Sequence, residues 1–301
     1  EPVGIASRTL DRAESFRRQF GFRRAYGSYQ ALLDDPAIDA VYIPLPNGLH
    51  AAWMIRAAEC GKHCLCEKPF TADEAEALAV AEAFSRSRLL VMEALMWRLH
   101  GQHRRARDVI RQGRPGPVRL VRSSFSFQLT RRPDVRLDPR LAGGTVRDIG
   151  CYPISGARFY FNDEPTEAFA HGDISPEHGV DFAMAGMLDF SAGRALIDCS
   201  FSLPYRAELE VVCEKGTFAF PKPWQPDVQA TLIVDGEQIA LPPENQYVTQ
   251  FNHFSKCITD STPPEYGVED AIRQMRVVDA ILHSMATGVP QPVGSRPSRQ
   301  S

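Results

Sequence analysis

The sequence predicts an α/β chain in two parts: a doubly wound parallel sheet, then an α+β region with a large, mostly antiparallel open sheet. Three observations carry that expectation. The first hundred residues alternate short apolar runs with helical stretches of 10 to 16 residues, the pattern of parallel strands joined by helical crossovers. From residue 117 onward the pattern becomes successive strand-like segments separated by turn residues. At 301 residues the chain has room for two units with a sizeable core.

Taken in order, "VGIAS" is a first apolar strand, and Thr9 can cap a helix running to Phe20 with Gly21 as its stop. "AIDAVYIPLP" is a second strand that breaks at its prolines into the loop "PLPNGLH". "AAWMIRAAEC" is helical and closes at Gly61, and "HCLCEK" is a third strand. Thr71 and Glu74 form a capping-box pattern ahead of "ADEAEALAVAEAFSRS", and "RLLVMEAL" is a fourth strand. A basic helix, "HRRARDVIRQG", precedes the change of pattern. The strands expected after it include "VRLVRSSFSFQL", "FAMAGMLDFS", "RALIDCSFSL", "AELEVVCEKGTFAF" and "ATLIVDGEQIAL", with turns at Ser191-Ala192-Gly193 and Asp235-Gly236. One helix interrupts them near 148–161, and "VEDAIRQMRVVDAILHSMATG" closes the region. The expected limits are 1–103 for the first domain, 104–294 for the second and 295–301 for a disordered tail.

Composition narrows the function classes. With 44% hydrophobic and 24% charged residues and a net charge of -3, the chain reads as soluble and carries no basic field for nucleic acid or an anionic membrane. The arginines of the basic helix are spaced as a solvated face. No apolar run approaches the roughly 20 residues of a membrane helix, and the opening Glu1-Pro2 does not read as a leader. The seven cysteines show neither a disulfide framework nor metal spacing, so free buried thiols, a cytoplasmic location and no metal site are expected.

Ligands of doubly wound sheets sit at the carboxyl ends of the strands. That rule selects Ser7-Arg8, Pro44 to His50, Glu67-Lys68 and Glu93 to His100. A dinucleotide-binding sheet of the Rossmann type opens with a strand and a G-x-G-x-x-G turn, and this chain carries none. Its first strand ends instead in a hydroxyl and a guanidinium, the donor set that accommodates the extra phosphate of NADP where an acid would favour NAD. Roughly 30 residues of a first βαβ unit are therefore expected to be missing. The alternative is a flavodoxin-like domain that binds no dinucleotide.

The segments "AVYIPLPNGLH", "CLCEKPF", "MEALMWRLHGQ" and "GGTVRDIGCYPISGARF", in that order, resemble the Gfo/Idh/MocA oxidoreductases. "MEALMWRLH" and the Asp-x-Gly-x-Tyr pattern at 148–152 are most similar to the branch of NADP-dependent D-xylose dehydrogenases, dimeric dihydrodiol dehydrogenases and glucose–fructose oxidoreductase. The resemblance implies an NAD(P)-dependent dehydrogenase acting on CH–OH groups, with NADP favoured over NAD as cofactor. A sugar, cyclic polyol or diol is the implied substrate, with hydride passing between nicotinamide and a carbinol carbon. It implies contacts to cofactor from Ile43, Pro44, Leu45, Asn47, His50, Glu67, Lys68, Glu93, Trp97 and Arg98, beside Ser7 and Arg8. It also implies a homodimer or homotetramer through the second-domain sheet.

The reacting group such chemistry needs is a base for the hydroxyl proton. Tyr152 can serve if its phenol is acidified, and Lys68 supplies the nearby charge that favours phenolate. Asp148, four residues before Tyr152, falls on the same face of a helix and can bind substrate or fix Lys68. His100 is a further substrate contact, beside Lys68, Asp148 and Tyr152. The readings that compete with a sugar dehydrogenase are a trans-dihydrodiol dehydrogenase, an anhydro-sugar ketone reductase and a catalytically silent NADP or sugar sensor.

Overall fold

A computed structural model describes residues 1–225 and 230–294; the expected tail, 295–301, lies outside the described residues. β1 (Gly4–Ala6) leads through α1 (Leu10–Phe20) to β2 (Arg24–Tyr26), its parallel neighbour. After α2 (Tyr29–Leu33) come β3 (Ala40–Ile43), α3 (His50–Glu59), β4 (His63–Glu67), α4 (Glu74–Ser85) and β5 (Val91–Ala94). β3, β4 and β5 pair in that order, all parallel. The parallel layer is thus present as two sheets, and β1 and β3 each keep an edge without a strand partner among the described residues.

Local chemistry explains the helix ends, with two corrections. Gly21 takes φ +74, and its N–H bonds the Arg17 carbonyl, as a C-terminal glycine should. Thr9 precedes α1 but makes no side-chain cap bond. The capping box sits two residues later than expected. Asp73 is the N-cap and accepts from the Glu76 N–H at 2.8 Å, while Glu76 reaches back to the Ala72 N–H at 3.0 Å. Thr71 instead donates its hydroxyl to the Asp73 carbonyl.

The second region begins with α5 (Gly101–Arg111) and β6 (Val118–Ser126). A wide π-type turn, Val146–Gly150, runs straight into α6 (Cys151–Phe161). β7 (Glu167–Ile174), β8 (Asp181–Phe190), β9 (Gly193–Ser200), β10 (Arg206–Cys213), β11 (Thr217–Phe220), β12 (Thr231–Val234) and β13 (Glu237–Ala240) follow. α7 (Gln246–Asp260), α8 (Val268–Thr287) and the short β14 (Gln291–Pro292) complete it. The strands form one nine-stranded sheet, ordered β13-β12-β11-β10-β6-β9-β8-β7-β14, antiparallel except for the β6–β9 pair. The β12–β13 hairpin turns at Asp235 and Gly236, both at positive φ, the geometry a two-residue Asp-Gly turn provides.

α6 and α8 cover one face of this sheet, burying Leu209, Val211, Ala195 and Ile197. The opposite face is open and carries Leu196, Arg122, Glu208 and Glu210. α7 was not anticipated, and its composition shows why. Two of its buried positions are glutamines, Gln246 and Gln250, so the apolar repeat that marks an amphipathic helix is half erased.

Candidate active site

The site lies where β4 ends. Residues 64–66 are buried strand, with Cys64 and Cys66 packed in the core as free thiols. Glu67 and Lys68 then emerge half-buried at the carboxyl edge. The Lys68–Pro69 bond is cis. Two neighbours fix the backbone beyond Lys68. The Glu93 carboxylate, at the end of β5, accepts the Phe70 N–H at 2.9 Å. His50, fully buried at the start of α3, meets the Pro69 carbonyl at 2.8 Å and the Leu45 carbonyl at 2.7 Å through its two ring nitrogens.

Lys68 reaches across to the second region. Its Nζ donates to the Asp148 carbonyl at 2.5 Å and to Asp148 Oδ1 at 3.1 Å, and it stands 5.1 Å from the centre of the Tyr152 ring. The π-turn carrying Asp148 and the first turn of α6 carrying Tyr152 thus present both side chains to one ammonium, as the spacing of four implied. Arg136, in the loop between β6 and the π-turn, takes the other carboxylate oxygen, Oδ2, at 2.6 Å. Burial alone would raise Asp148, yet Lys68 and Arg136 hold its carboxyl below the usual value.

Tyr152 departs from expectation. Its ring is buried against Phe125, 5.3 Å away edge-on, and Trp224. That burial pushes the phenol well above its ordinary value despite the opposing pull of Lys68. In this conformation the tyrosine holds its proton.

The other expected residues divide into two groups. Ile43, Pro44 and Leu45 line the strand end and loop, with Pro44 exposed. Asn47 bonds the Ala142 carbonyl at 2.9 Å, and Gly48 lies so close to Leu141 that an added Cβ would meet its backbone at 3.0 Å, so this loop also ties the two regions together. Glu67 accepts from the Tyr42 hydroxyl. By contrast Trp97, Arg98 and His100, expected as cofactor and substrate contacts, are buried and hold protein partners. Trp97 is fully buried among His103, Phe159 and Trp224. Arg98 is consumed by Ser155 and Asp270. His100 caps α5 through Gln102 N–H. His50 uses both ring nitrogens on backbone carbonyls, whereas Glu93 uses only Oε1, on the Phe70 N–H, and its Oε2 is buried without a hydrogen-bond partner among the described residues.

Three side chains at the site had no sequence signal strong enough to find them. Arg136 lies in a long irregular loop. Tyr42, on β3, holds Glu67 and packs edge-on against Phe251 of α7. Tyr247, on the first turn of the unanticipated α7, is close enough to Glu67 and Lys68 to feel both charges. The basic helix α5 turns inward rather than facing only solvent: Arg104 and Arg107 pair with Glu265.

At the first strand, the Ser7 N–H bonds the Tyr26 carbonyl, and Arg8 is exposed with no ion pair among the described residues. Because Thr9 leaves α1 without a side-chain cap, the first N–H groups of that helix stand open beside Ser7 and Arg8. This donor set fits a phosphomonoester.

A parallel nucleotide-type layer joined to an open antiparallel sheet, with a lysine and a tyrosine meeting between them, defines a two-domain oxidoreductase. Residues 1–95 match the GFO/IDH/MocA oxidoreductase family with its NAD-binding Rossmann fold, and residues 103–219 match the GFO/IDH/MocA C-terminal domain. The chain belongs to this family. It is 37% identical to D-xylose 1-dehydrogenase (NADP(+)) 2 of Haloferax volcanii, over 96% of this chain and 90% of that protein. It is 31% identical to the trans-1,2-dihydrobenzene-1,2-diol dehydrogenase of Mus musculus, over 80% of this chain and 72% of that protein. Among solved structures it resembles KijD10, a 3-ketoreductase from Actinomadura kijaniata in complex with NADP and TDP-benzene. There the TM-score is 0.88 and the identity 30%, covering 94% of this chain and 89% of that one.

Proposed function

We propose that this chain is an NADP-dependent oxidoreductase acting on the carbinol or carbonyl carbon of a sugar or cyclic polyol, with Tyr152 as acid/base and Lys68 as its charged partner. The observation that carries the reading is the meeting of Lys68 Nζ with both Asp148 and the Tyr152 ring at the carboxyl end of β4. NADP, when bound, supplies the two-electron acceptor or donor. Ser7, Arg8 and the open N-terminus of α1 would hold its extra phosphate, and Ile43, Pro44, Leu45 and Asn47 would border it. Tyr152 holds or releases the proton of the substrate oxygen. Lys68 steadies the phenolate when the proton leaves and has one N–H not used on Asp148 for a substrate oxygen.

The protonated state of Tyr152 favours a second emphasis within the same chemistry. A phenol held up by burial is a proton donor near neutral pH, so carbonyl reduction has its acid ready, and alcohol oxidation should accelerate as pH rises. The xylose and diol dehydrogenase relatives support the substrate classes to try first. Retention of Lys68, Asp148 and Tyr152 around one point argues against a silent sensor. We further propose that the open face of the nine-stranded sheet, where Leu196 of β9 is 45% exposed amid charged neighbours, joins copies of the chain into a dimer or tetramer.

The test is a steady-state screen of D-xylose, other aldoses and a trans-dihydrodiol, each with NADP+ and NAD+. Turnover of at least one class with preference for NADP+ is expected, together with loss of that preference in Arg8→Ala. No turnover of any of them, or an unchanged preference in the variant, contradicts the reading.

A further inference from the structure

Arg136 sits in the loop that precedes the π-turn, and three features hold it there. Asp134, itself 7% exposed, accepts the Arg136 N–H at 2.9 Å and pairs with the guanidinium at 3.3 Å. The Gly144 N–H bonds the Arg136 carbonyl at 2.9 Å. The pair Gly143-Gly144 has no room for side chains: a Cβ on Gly143 would overlap the Arg136 carbonyl, and one on Gly144 would overlap the Asp181 carboxylate. Gly144 also takes φ +107, which favours glycine. Asp181 in turn accepts the Val146 N–H at 2.6 Å, pinning the start of the π-turn. The loop is therefore built to deliver one guanidinium Nε to Asp148 Oδ2, opposite Lys68 on Oδ1.

We propose that Arg136 is a positioning residue of this oxidoreductase, holding Asp148 between two cations so that Lys68 stays over Tyr152 with its charge only partly neutralised. Without Arg136, Asp148 turns its full charge on Lys68, and the ammonium acts less on the phenol. The proposal rests on the reading of Tyr152 and Lys68 as the reacting pair. The charged and titratable groups acting on that pair are Asp148 on the π-turn, Glu67 on β4, Cys151 on α6, His50 on α3 and Tyr247 on α7. None of these is a cation near neutral pH, burial holding the His50 imidazole below its ordinary value, which leaves Arg136 as the second positive charge beside Lys68.

The test compares the pH dependence of kcat for substrate oxidation in wild type, Arg136→Met and Arg136→Lys. Arg136→Met should lower kcat about tenfold near pH 7, leave KM within about twofold and move the rising limb upward by about one pH unit. Arg136→Lys keeps the charge and loses the fork, so it should keep the wild-type limb with kcat about threefold lower. A Met profile that overlays wild type, or a Lys profile shifted as far as Met, overturns the proposal. Should the Met variant not fold, a Lys variant with unchanged kcat and limb overturns it equally. Tyr152→Phe in the same assay separates the two levels. An active Tyr152→Phe enzyme removes both the acid/base reading and the role of Arg136. An inactive one with an unshifted Arg136→Met profile removes only the latter.

Discussion

Two aspartates among the described residues, Asp270 and Asp148, each pair with more than one cation, and they do different work. Asp270 on α8 lies between Arg98 and Arg158, whose side chains are each 3% exposed. Those guanidinium groups are enclosed by protein: Arg98 also bonds Ser155 and lies over the Tyr266 ring, and Arg158 also bonds Glu164 and Gln274. Asp148 lies between Lys68 and Arg136, which are 14% and 38% exposed. There the lysine keeps a donor unspent and faces an aromatic ring. The same motif of carboxylate and cations is a clamp where the cations are enclosed and a candidate reaction centre where they stand at an open edge. Exposure of the cations separates the two better than burial of the carboxylate, since Asp148 is the more buried of the pair.

Substitutions can break that contrast, beginning with the largest effect. Asp270→Ala strands two buried guanidinium groups and should cost about 3–5 kcal/mol of stability, read from the denaturant midpoint, with activity per folded molecule retained. Lys68→Met should do the reverse. It should lower kcat about a hundredfold with a midpoint close to wild type, because Arg136 still pairs Asp148. A catalytic loss in the first or a large stability loss in the second erases the distinction.

Glu93 sharpens it from a third side. Burial raises this carboxyl to about 7, with Arg98 opposing. A folded value above the unfolded one means stability is fully present below about pH 4.5 and is lost as pH rises through about 7. The loss is on the order of 3 kcal/mol. Glu93→Gln should flatten that slope in denaturation measured from pH 4 to 8, and an unchanged slope would assign it to other groups. The smallest effect belongs to the α4 cap: Asp73→Ala should lower stability by about 1 kcal/mol and leave turnover alone.

How far the sequence reveals this arrangement depends on distance along the chain. The strand ends at Ser7, Ile43, Glu67 and Glu93 were legible because periodicity and proline breaks mark them locally. The convergence of Lys68, Asp148 and Tyr152 was legible through a helical spacing of four and the order of the segments. Arg136 was not, because its loop has no period and its role depends on two glycines tolerated only by the tertiary fit. α7 and its Tyr247 were hidden by buried glutamines in place of an apolar stripe. The burial of Trp97, Arg98 and His100 was not legible either. They follow a strand end, where ligands bind, but the 3-10 turn at Met96–Leu99 carries them back into the core.

The most direct test of the account is the turnover of Tyr152→Phe with NADP+ and whichever sugar or diol the wild-type chain oxidises. The pairing of Lys68 with an acid/base tyrosine predicts a kcat on the order of 10³-fold lower, with the fold and midpoint unchanged. A variant that turns over within a few-fold of wild type contradicts it.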